Sequence, residues 1–319
     1  MMDSTKQVPE QARKIVASIV TECQKTVVGK TEIIEDLLLA LISGGHVLLE
    51  GVPGVAKTTI GKTFSSVLGL GFKRIQGSPD TLPADIVGTH VFDQKNLAFK
   101  MQKGPIFSNI VLIDEINRNT PKTNSAILEA MQEKQVTIDG ETVKLPYPFM
   151  VIATQSPIEF YGVFPIPEVL TDRFLLSLKV DYPSLGEEIE LTDRMYSIEA
   201  GQVKRATTPE QISYLIEFAR GIYIAPHVQS YMIDIVHRTR RTDVIALGAS
   251  PRASLAFMRT ARARALIKGR AYVSPDDIKY LAPRVLRHRI TLSSVGQTLS
   301  SEAVVDSLLE ETPIPERPP

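Results

Sequence analysis

The sequence has almost no cysteine: Cys23 stands alone among 319 residues. An intramolecular disulfide and a cysteine-based zinc site are therefore excluded, and a reducing compartment fits. Cys23 is expected to be a core or helix-face thiol, because free cysteine packs as a small hydrophobe. Net charge is missing too. The 36 Lys plus Arg balance 36 Asp plus Glu, which argues against attraction of the whole chain to nucleic acid or anionic membrane. Any basic surface must be local. There is no run of 18 or more apolar residues, and the opening "MMDSTKQVPEQARK" has no apolar core behind a basic segment. No membrane span is expected, and a cytoplasmic location is the default. The five histidines are scattered, with no two at helical metal-ligand spacing, so no transition-metal site is expected.

A length of 319 residues exceeds the usual single domain, so about two are expected. Between residues 46 and 180 short apolar runs alternate with helical segments: "HVLLE", "FKRI", "IVLIDE", "FMVIAT" and "LLSLKV". Continuous apolar strands suit a sheet covered on both faces, hence an α/β fold with parallel strands and crossover helices. A helix is expected over roughly residues 9–25, where Ala12, Ile15, Val16, Ile19, Val20 and Cys23 recur at helical spacing. Residues 184–290 carry helical patterns without strand alternation, opened by Thr208-Pro209, Ser250-Pro251 and Ser274-Pro275. The expected division is a nucleotide-binding core with its N-terminal helix over 1–182, a helical domain over 183–310 and a loose proline-rich tail over 311–319.

The stretch "HVLLEGVPGVAKTTI" reads as a strand, a phosphate-binding loop and a helix, in the order that loop requires. Gly51, Pro53, Gly54, Val55, Ala56, Lys57, Thr58 and Thr59 supply it. Backbone N–H groups at a helix N-terminus hold phosphate oxygens, and the helix dipole favours their charge. Alanine at position 56 still offers its N–H. It lacks glycine's access to positive φ, at roughly 1–2 kcal/mol if the loop demands a left-handed residue. That strain is small beside the binding of a triphosphate with magnesium, so Ala56 should tune the loop without emptying it.

Downstream, "NIVLIDEINRNTPKTNSAILEAMQ" runs four apolar strand residues into Asp114 and Glu115, with a helix from about Pro121. Two carboxylates at the end of a buried strand are costly without a cation. In phosphate-loop enzymes the first acid and the loop hydroxyl hold Mg²⁺, the roles assigned here to Asp114 and Thr58. Glu115 then stands where a base can polarise the water attacking the γ-phosphate. "VTIDGETVKL" has Asp-Gly between alternating strands, a hairpin signal. Gln155, ending "FMVIATQ", is a candidate contact for that phosphate or water.

Together "LLEGVPGVAKT", "PDTLPADIVGT", "GPIFSNIVLIDEINRNTPKTNSAILEAMQEKQVTI", "VIATQSP" and "LTDRFLL" resemble the MoxR family of AAA+ ATPases, over nearly the whole chain from residue 27. Alanine before the loop lysine is usual in that family, whereas Ser156 stands where asparagine is typical. The resemblance implies a core with a five-stranded parallel sheet, flanking helices and β-hairpin insertions, plus a small helical lid. It also implies ATP and Mg²⁺ as ligands and a homo-oligomeric, hexameric ring. In "LTDRF", Arg173 matches the arginine finger that reaches a neighbour's γ-phosphate; the alternative is an arginine paired with Asp172. In "GASPRA", Arg252 matches the second sensor, and Val28 and Gly29 of "VVGK" match the segment backing the adenine. The hairpin-like "DIVGTHVFDQKNLAFKMQKGPIF" matches an insertion directed towards a pore or a client.

The family suggests a remodelling chaperone whose partner is a protein with a von Willebrand factor A domain. Two other functions use the same motifs, a nucleic-acid-dependent motor and a nucleotide-gated scaffold. The basic run "RTARARALIKGR", with Arg259, Arg262, Arg264, Lys268 and Arg270, bears on the former. Given overall neutrality, a solvated or subunit-facing surface is expected there, and nucleic acid is disfavoured as a partner. The full set of loop lysine, magnesium acid, base and finger disfavours the scaffold.

Overall fold

Alternation along five strands decides the architecture. The computed structural model describes residues 8–52, 54–155, 166–199, 203–296 and 298–314. Its strands are β1 (Val47–Glu50), β2 (Phe72–Gln76), β3 (Gly88–Asp93), β4 (Ala98–Lys103), β5 (Ile110–Asp114), β6 (Gln135–Ile138), β7 (Glu141–Lys144), β8 (Met150–Gln155), β9 (Leu176–Lys179), β10 (Ile245–Leu247) and β11 (Thr291–Leu292). The helices are α1 (Glu10–Gln24), α2 (Thr31–Ile42), α3 (Lys57–Leu68), α4 (Pro83–Val87), α5 (Pro121–Glu133), α6 (Glu168–Thr171), α7 (Leu185–Asp193), α8 (Met195–Glu199), α9 (Pro209–Arg220), α10 (Pro226–Arg238), α11 (Pro251–Ile267), α12 (Pro275–Leu286) and α13 (Ser301–Glu311).

The five apolar runs form one parallel sheet in the order β2-β5-β8-β1-β9. Both faces are covered, and the period of two assigns each side chain to one of them. Val47, Leu49, Ile110, Leu112, Ile152 and Leu176 face a core shared with α1, α2, α3 and the later helices. Leu48, Val111, Ile113, Val151 and Ala153 face a second core under α5. Because β8 lies between β1 and β5, the C-terminal ends of these three strands meet at one place, where open α/β sheets bind ligands.

The helices begin where the sequence placed their caps. Thr120 accepts the N–H of Thr123 in front of Pro121, Thr208 accepts that of Gln211, and Ser250 that of Arg252. Ser274 pairs its own N–H with Asp277 at 2.9 Å. In α1, Ala12, Ile15, Val16, Ile19 and Cys23 are buried, and burial pushes the Cys23 thiol up to about 12, so it stays an inert thiol. Among the described residues no helix is long and apolar enough to cross a membrane.

Two hairpins leave the core. In β6–β7 the turn residues Asp139 and Gly140 adopt φ 49° and 88°, the left-handed pair that Asp-Gly favours. In β3–β4, Phe92 and Phe99 stack edge-on at 5.5 Å while remaining exposed. The two hairpins touch through His90 Nδ1 and Asp139 Oδ2, 2.9 Å apart. The later segment is not purely helical, since β10 and β11 pair antiparallel; Ile245 is buried while the rest of these two- and three-residue strands is largely exposed, too short a pattern to show alternation. The tail departs from expectation at its start: Thr312 is buried and donates to Leu308 O at 2.6 Å. From residue 315 onward the tail lies outside the described residues.

His46, just before β1, gives the fold a pH dependence. Its Nδ1 accepts the N–H of Val151 at 2.9 Å, and Nε2 faces Met131 O at 3.1 Å and Lys134 Nζ at 2.8 Å. Burial, then Lys134, push its pKa well below the ordinary value. His288 is lowered in the same way, by burial and Arg289. The folded chain therefore holds both rings neutral, whereas the unfolded chain takes up protons below about pH 6.5. Stability is fully present above that pH and is expected to fall below it by up to about 1.4 kcal/mol per pH unit for each ring. Urea unfolding at pH 7.5, 6.0 and 5.0 checks this, and equal stabilities across the series would contradict it.

Candidate functional site

Where β1 ends, Gly51 cannot carry a side chain: a Cβ there would lie 2.4 Å from Val180 O. The loop then turns through Gly54 at φ 88° and Ala56 at φ 61°, ψ 22°, after which α3 starts at Lys57. Ala56 does occupy the left-handed region, so the loop carries the strain of roughly 1–2 kcal/mol that glycine would avoid. Val55 is buried beneath the turn, and Pro53 lies outside the described residues. Lys57 Nζ donates to Gly51 O and, at 2.9 Å, to Val52 O. Burial lowers its pKa, and Asp114 and Glu115 act against that shift. Its ammonium is thus held across the loop by neutral acceptors, which phosphate oxygens can replace.

Asp114 ends β5 and is 7% exposed. Thr58 Oγ1 donates to its Oδ2 at 3.1 Å, and Thr154 Oγ1 donates to its Oδ1 at 2.9 Å. Thr154 also accepts the N–H of Glu115 at 2.9 Å, so one hydroxyl on the intervening strand β8 fixes both acids. Arg74 Nε donates to Asp114 Oδ2 at 2.7 Å, and its Nη2 to Gln76 Oε1 at 2.6 Å. Glu115 adopts φ 55°, and its Oε2 accepts from Gln76 Nε2 at 3.1 Å and Arg118 Nη1 at 3.0 Å. A cleft of about 380 Å³ is lined by Gly54, Ala56, Lys57, Thr58, Thr59, Arg74, Gln76, Asp114, Glu115 and Thr154. Thr58 and Asp114 offer hard oxygen donors side by side, a set that suits Mg²⁺ completed by phosphate and water.

Several expected site residues stand elsewhere. Gln155 is at the end of β8 beside Gly51, whose N–H donates to its carbonyl at 3.3 Å, and its neighbour Thr154 lines the cleft. Ser156 lies outside the described residues. Val28 is buried and Gly29 sits against Glu187 of α7, so neither lines the cleft. Arg252 is also absent from the lining; its Nη1 is 3.1 Å from Asp172 Oδ2. Asp172 further accepts from Ser250 Oγ at 3.1 Å and from the buried Arg289 Nε at 3.1 Å. Burial lowers Arg289 to about 10, with Asp172 opposing, so it stays charged at neutral pH. Asp172 therefore ties the core to α11 and to the end of the lid. The Arg173 backbone N–H donates to Leu170 O at 3.1 Å, but its side chain makes no hydrogen bond or ion pair among the described residues, and its Nε is buried without a partner. Burial and then Arg252 lower its pKa.

In the basic run, expected to form a solvated or subunit-facing surface, Arg259 and Lys268 are exposed, and three of the five charges pair with acids of the same chain. Arg270 makes a two-pronged contact with Asp277 at 2.6 and 2.9 Å, and Arg264 stacks on Tyr280 with its guanidinium 3.2 Å from the ring centre. Lys268 pairs with Glu35 at 2.8 Å, and Arg262 donates to Ile222 O at 3.1 Å. Beyond the run, Arg284 pairs with Asp36 at 2.8 Å and Arg287 with Glu302 at 2.7 Å. Amphipathic spacing located these residues on a helix but not their partners, which come from α2, α12, α13 and the turn after α9.

Residues unforeseen in the sequence complete the cleft. Arg74 and Gln76 are two apart in "FKRIQ", so they share one face of edge strand β2. Thr154 is the one polar residue inside the buried run of β8.

Comparison with known proteins agrees with this geometry. The model of the ATPase family associated with various cellular activities (AAA) matches residues 46–176, and that of the AAA lid domain matches residues 237–310. Chaperone MoxR1 of Mycobacterium tuberculosis is 42% identical over 306 residues, 92% of this chain and 81% of its own length. The YeaC protein of Bacillus subtilis is 40% identical over 311 residues, covering 96% of this chain and 97% of its own. A crystal structure from Cytophaga hutchinsonii, whose given name proposes an ATPase, superposes with a TM-score of 0.89 at 36% identity, over 96% of each chain.

Proposed function

The chain belongs to the MoxR family of AAA+ ATPases, and from that premise we propose that it hydrolyses ATP with magnesium to remodel, assemble or activate a partner protein. One observation carries this reading: Thr58 Oγ1 and Asp114 Oδ2 lie 3.1 Å apart in the same cleft as Lys57 and Glu115. Thr58 and Asp114 would hold the magnesium ion, which when bound neutralises charge developing on the phosphate oxygens. Lys57, released from the carbonyls of Gly51 and Val52, pairs with the β- and γ-phosphates. Glu115 takes up the proton of the attacking water. Arg173, whose side chain has no partner among the described residues, acts on the γ-phosphate of a neighbouring subunit in a homo-oligomeric ring, for which six subunits are proposed. The unit carrying the cleft is residues 1–182, and residues 183–310 move against it as the lid.

The proposed partner is a protein client or one bearing a von Willebrand factor A domain, met by the two projecting hairpins. The internal pairing of the basic lid residues leaves little free charge for nucleic acid. Turnover measured with and without added DNA or RNA tests the choice. The expected result is no stimulation at any salt concentration. Strong activation that falls with rising salt would put a nucleic-acid motor first.

A further inference from the structure

The cation-binding acid already has a cation beside it. Arg74 Nε is 2.7 Å from Asp114 Oδ2, the same oxygen that accepts from Thr58. Its other arm is fixed on Gln76 Oε1 at 2.6 Å, so the guanidinium is aimed and not loosely adjacent. The side chain is 49% exposed and lines the cleft, which leaves it an open path away from Asp114. We infer that Arg74 is a place-holding counter-ion: it occupies the oxygen of Asp114 that the magnesium ion would take, and makes the cation enter only together with a triphosphate. This rests on the reading of the cleft as a magnesium-nucleotide site.

The charge count gives the reason. The lining of the cleft sets Lys57 and Arg74 against Asp114 and Glu115, with Arg118 paired to Glu115 on its margin. A bare divalent cation therefore meets a site with no surplus negative charge, and it must compete with a guanidinium for Oδ2. A triphosphate reverses that balance by adding negative charge to the cleft. A buried aspartate left alone while the site waits is costly. Arg74 compensates it until the exchange. It is a positioning residue, since it acts through Asp114.

Removing Arg74 should therefore move two affinities in opposite directions, which a merely structural role would not do. Mn²⁺ binding without nucleotide, read from the free-ion signal by electron paramagnetic resonance, is expected to tighten about tenfold in Arg74→Ala and Arg74→Gln, as one opposing charge leaves the site. ATP binding in excess chelator is expected to weaken by about tenfold, because Asp114 then faces the triphosphate uncompensated. Arg74→Lys keeps the charge and should stay within about threefold of wild type in both, and it serves should the neutral variants unfold. Unchanged or weaker Mn²⁺ binding in the neutral variants, or unchanged or tighter metal-free ATP binding, overturns the inference. So does an Arg74→Lys that binds Mn²⁺ about tenfold tighter than wild type. Mg-ATP titrated into wild type separates the two levels: no binding removes the nucleotide site and this inference with it, whereas normal binding with an unmoved Mn²⁺ affinity removes only the role of Arg74.

Discussion

Glu115→Gln is expected to bind Mg-ATP within about threefold of wild type while hydrolysing it at least 100-fold more slowly, the lower end of what a general base contributes. The amide is nearly isosteric and keeps an oxygen for Arg118 or Gln76, so the backbone turn at Glu115, φ 55°, has no reason to change. What disappears is the capacity to take a proton. Neither Lys57, Thr58 nor Asp114 is replaced, so binding should survive. Single-turnover hydrolysis alongside equilibrium binding separates the two quantities. Turnover near that of wild type would remove Glu115 as the base.

Arg173→Ala carries the second large effect, a loss of roughly 10³-fold in turnover, the scale of an arginine that stabilises charge on a transferring phosphoryl group. Its stability cost should be small. The side chain has no ion pair to lose, and its loss removes a positive charge whose neighbour Arg252 lowers the pKa of Arg173. Ordinarily an arginine serving its own chain would have taken Asp172, but Arg252 and Arg289 hold that carboxylate. Mixing provides the check. Arg173→Ala subunits keep the base and Glu115→Gln subunits keep the finger, so combined rings should regain turnover that neither variant has alone. Mixtures no more active than the separate variants, or wild-type turnover per chain that is unchanged by dilution to monomers, would rule out action on a neighbour.

The sequence made the sheet legible because parallel strands buried on both faces read as continuous apolar runs, which became β1, β5, β8 and β9, while the edge strand β2 buries only Ile75. The phosphate loop and the acidic strand end were legible because each packs its chemistry into consecutive residues. What escaped was set by register and by long-range pairing. The choice of Thr154 over Gln155 depends on which face of β8 turns towards Asp114, a difference of one residue. Arg74 reaches Asp114 across a strand pair whose register only the sheet defines. Arg252 answers to Asp172, 80 residues away, and the basic helix to acids on α2 and α12. Motif matching assigns such arginines by their place in a pattern, whereas their charge is satisfied by whichever carboxylate the fold brings near.

The proposed ATP-driven function requires Lys57, Thr58 and Asp114 to grip a single metal-bound triphosphate. Isothermal titration of Mg-ATP into the wild-type chain and into a folded Lys57→Ala variant addresses that most directly. Wild type should take up about one nucleotide per chain, and the variant should lose at least tenfold in affinity, since a half-buried ammonium on phosphate oxygens is worth more than a surface ion pair. Well-folded wild type that takes up no Mg-ATP, or a variant that binds as tightly as wild type, would contradict it.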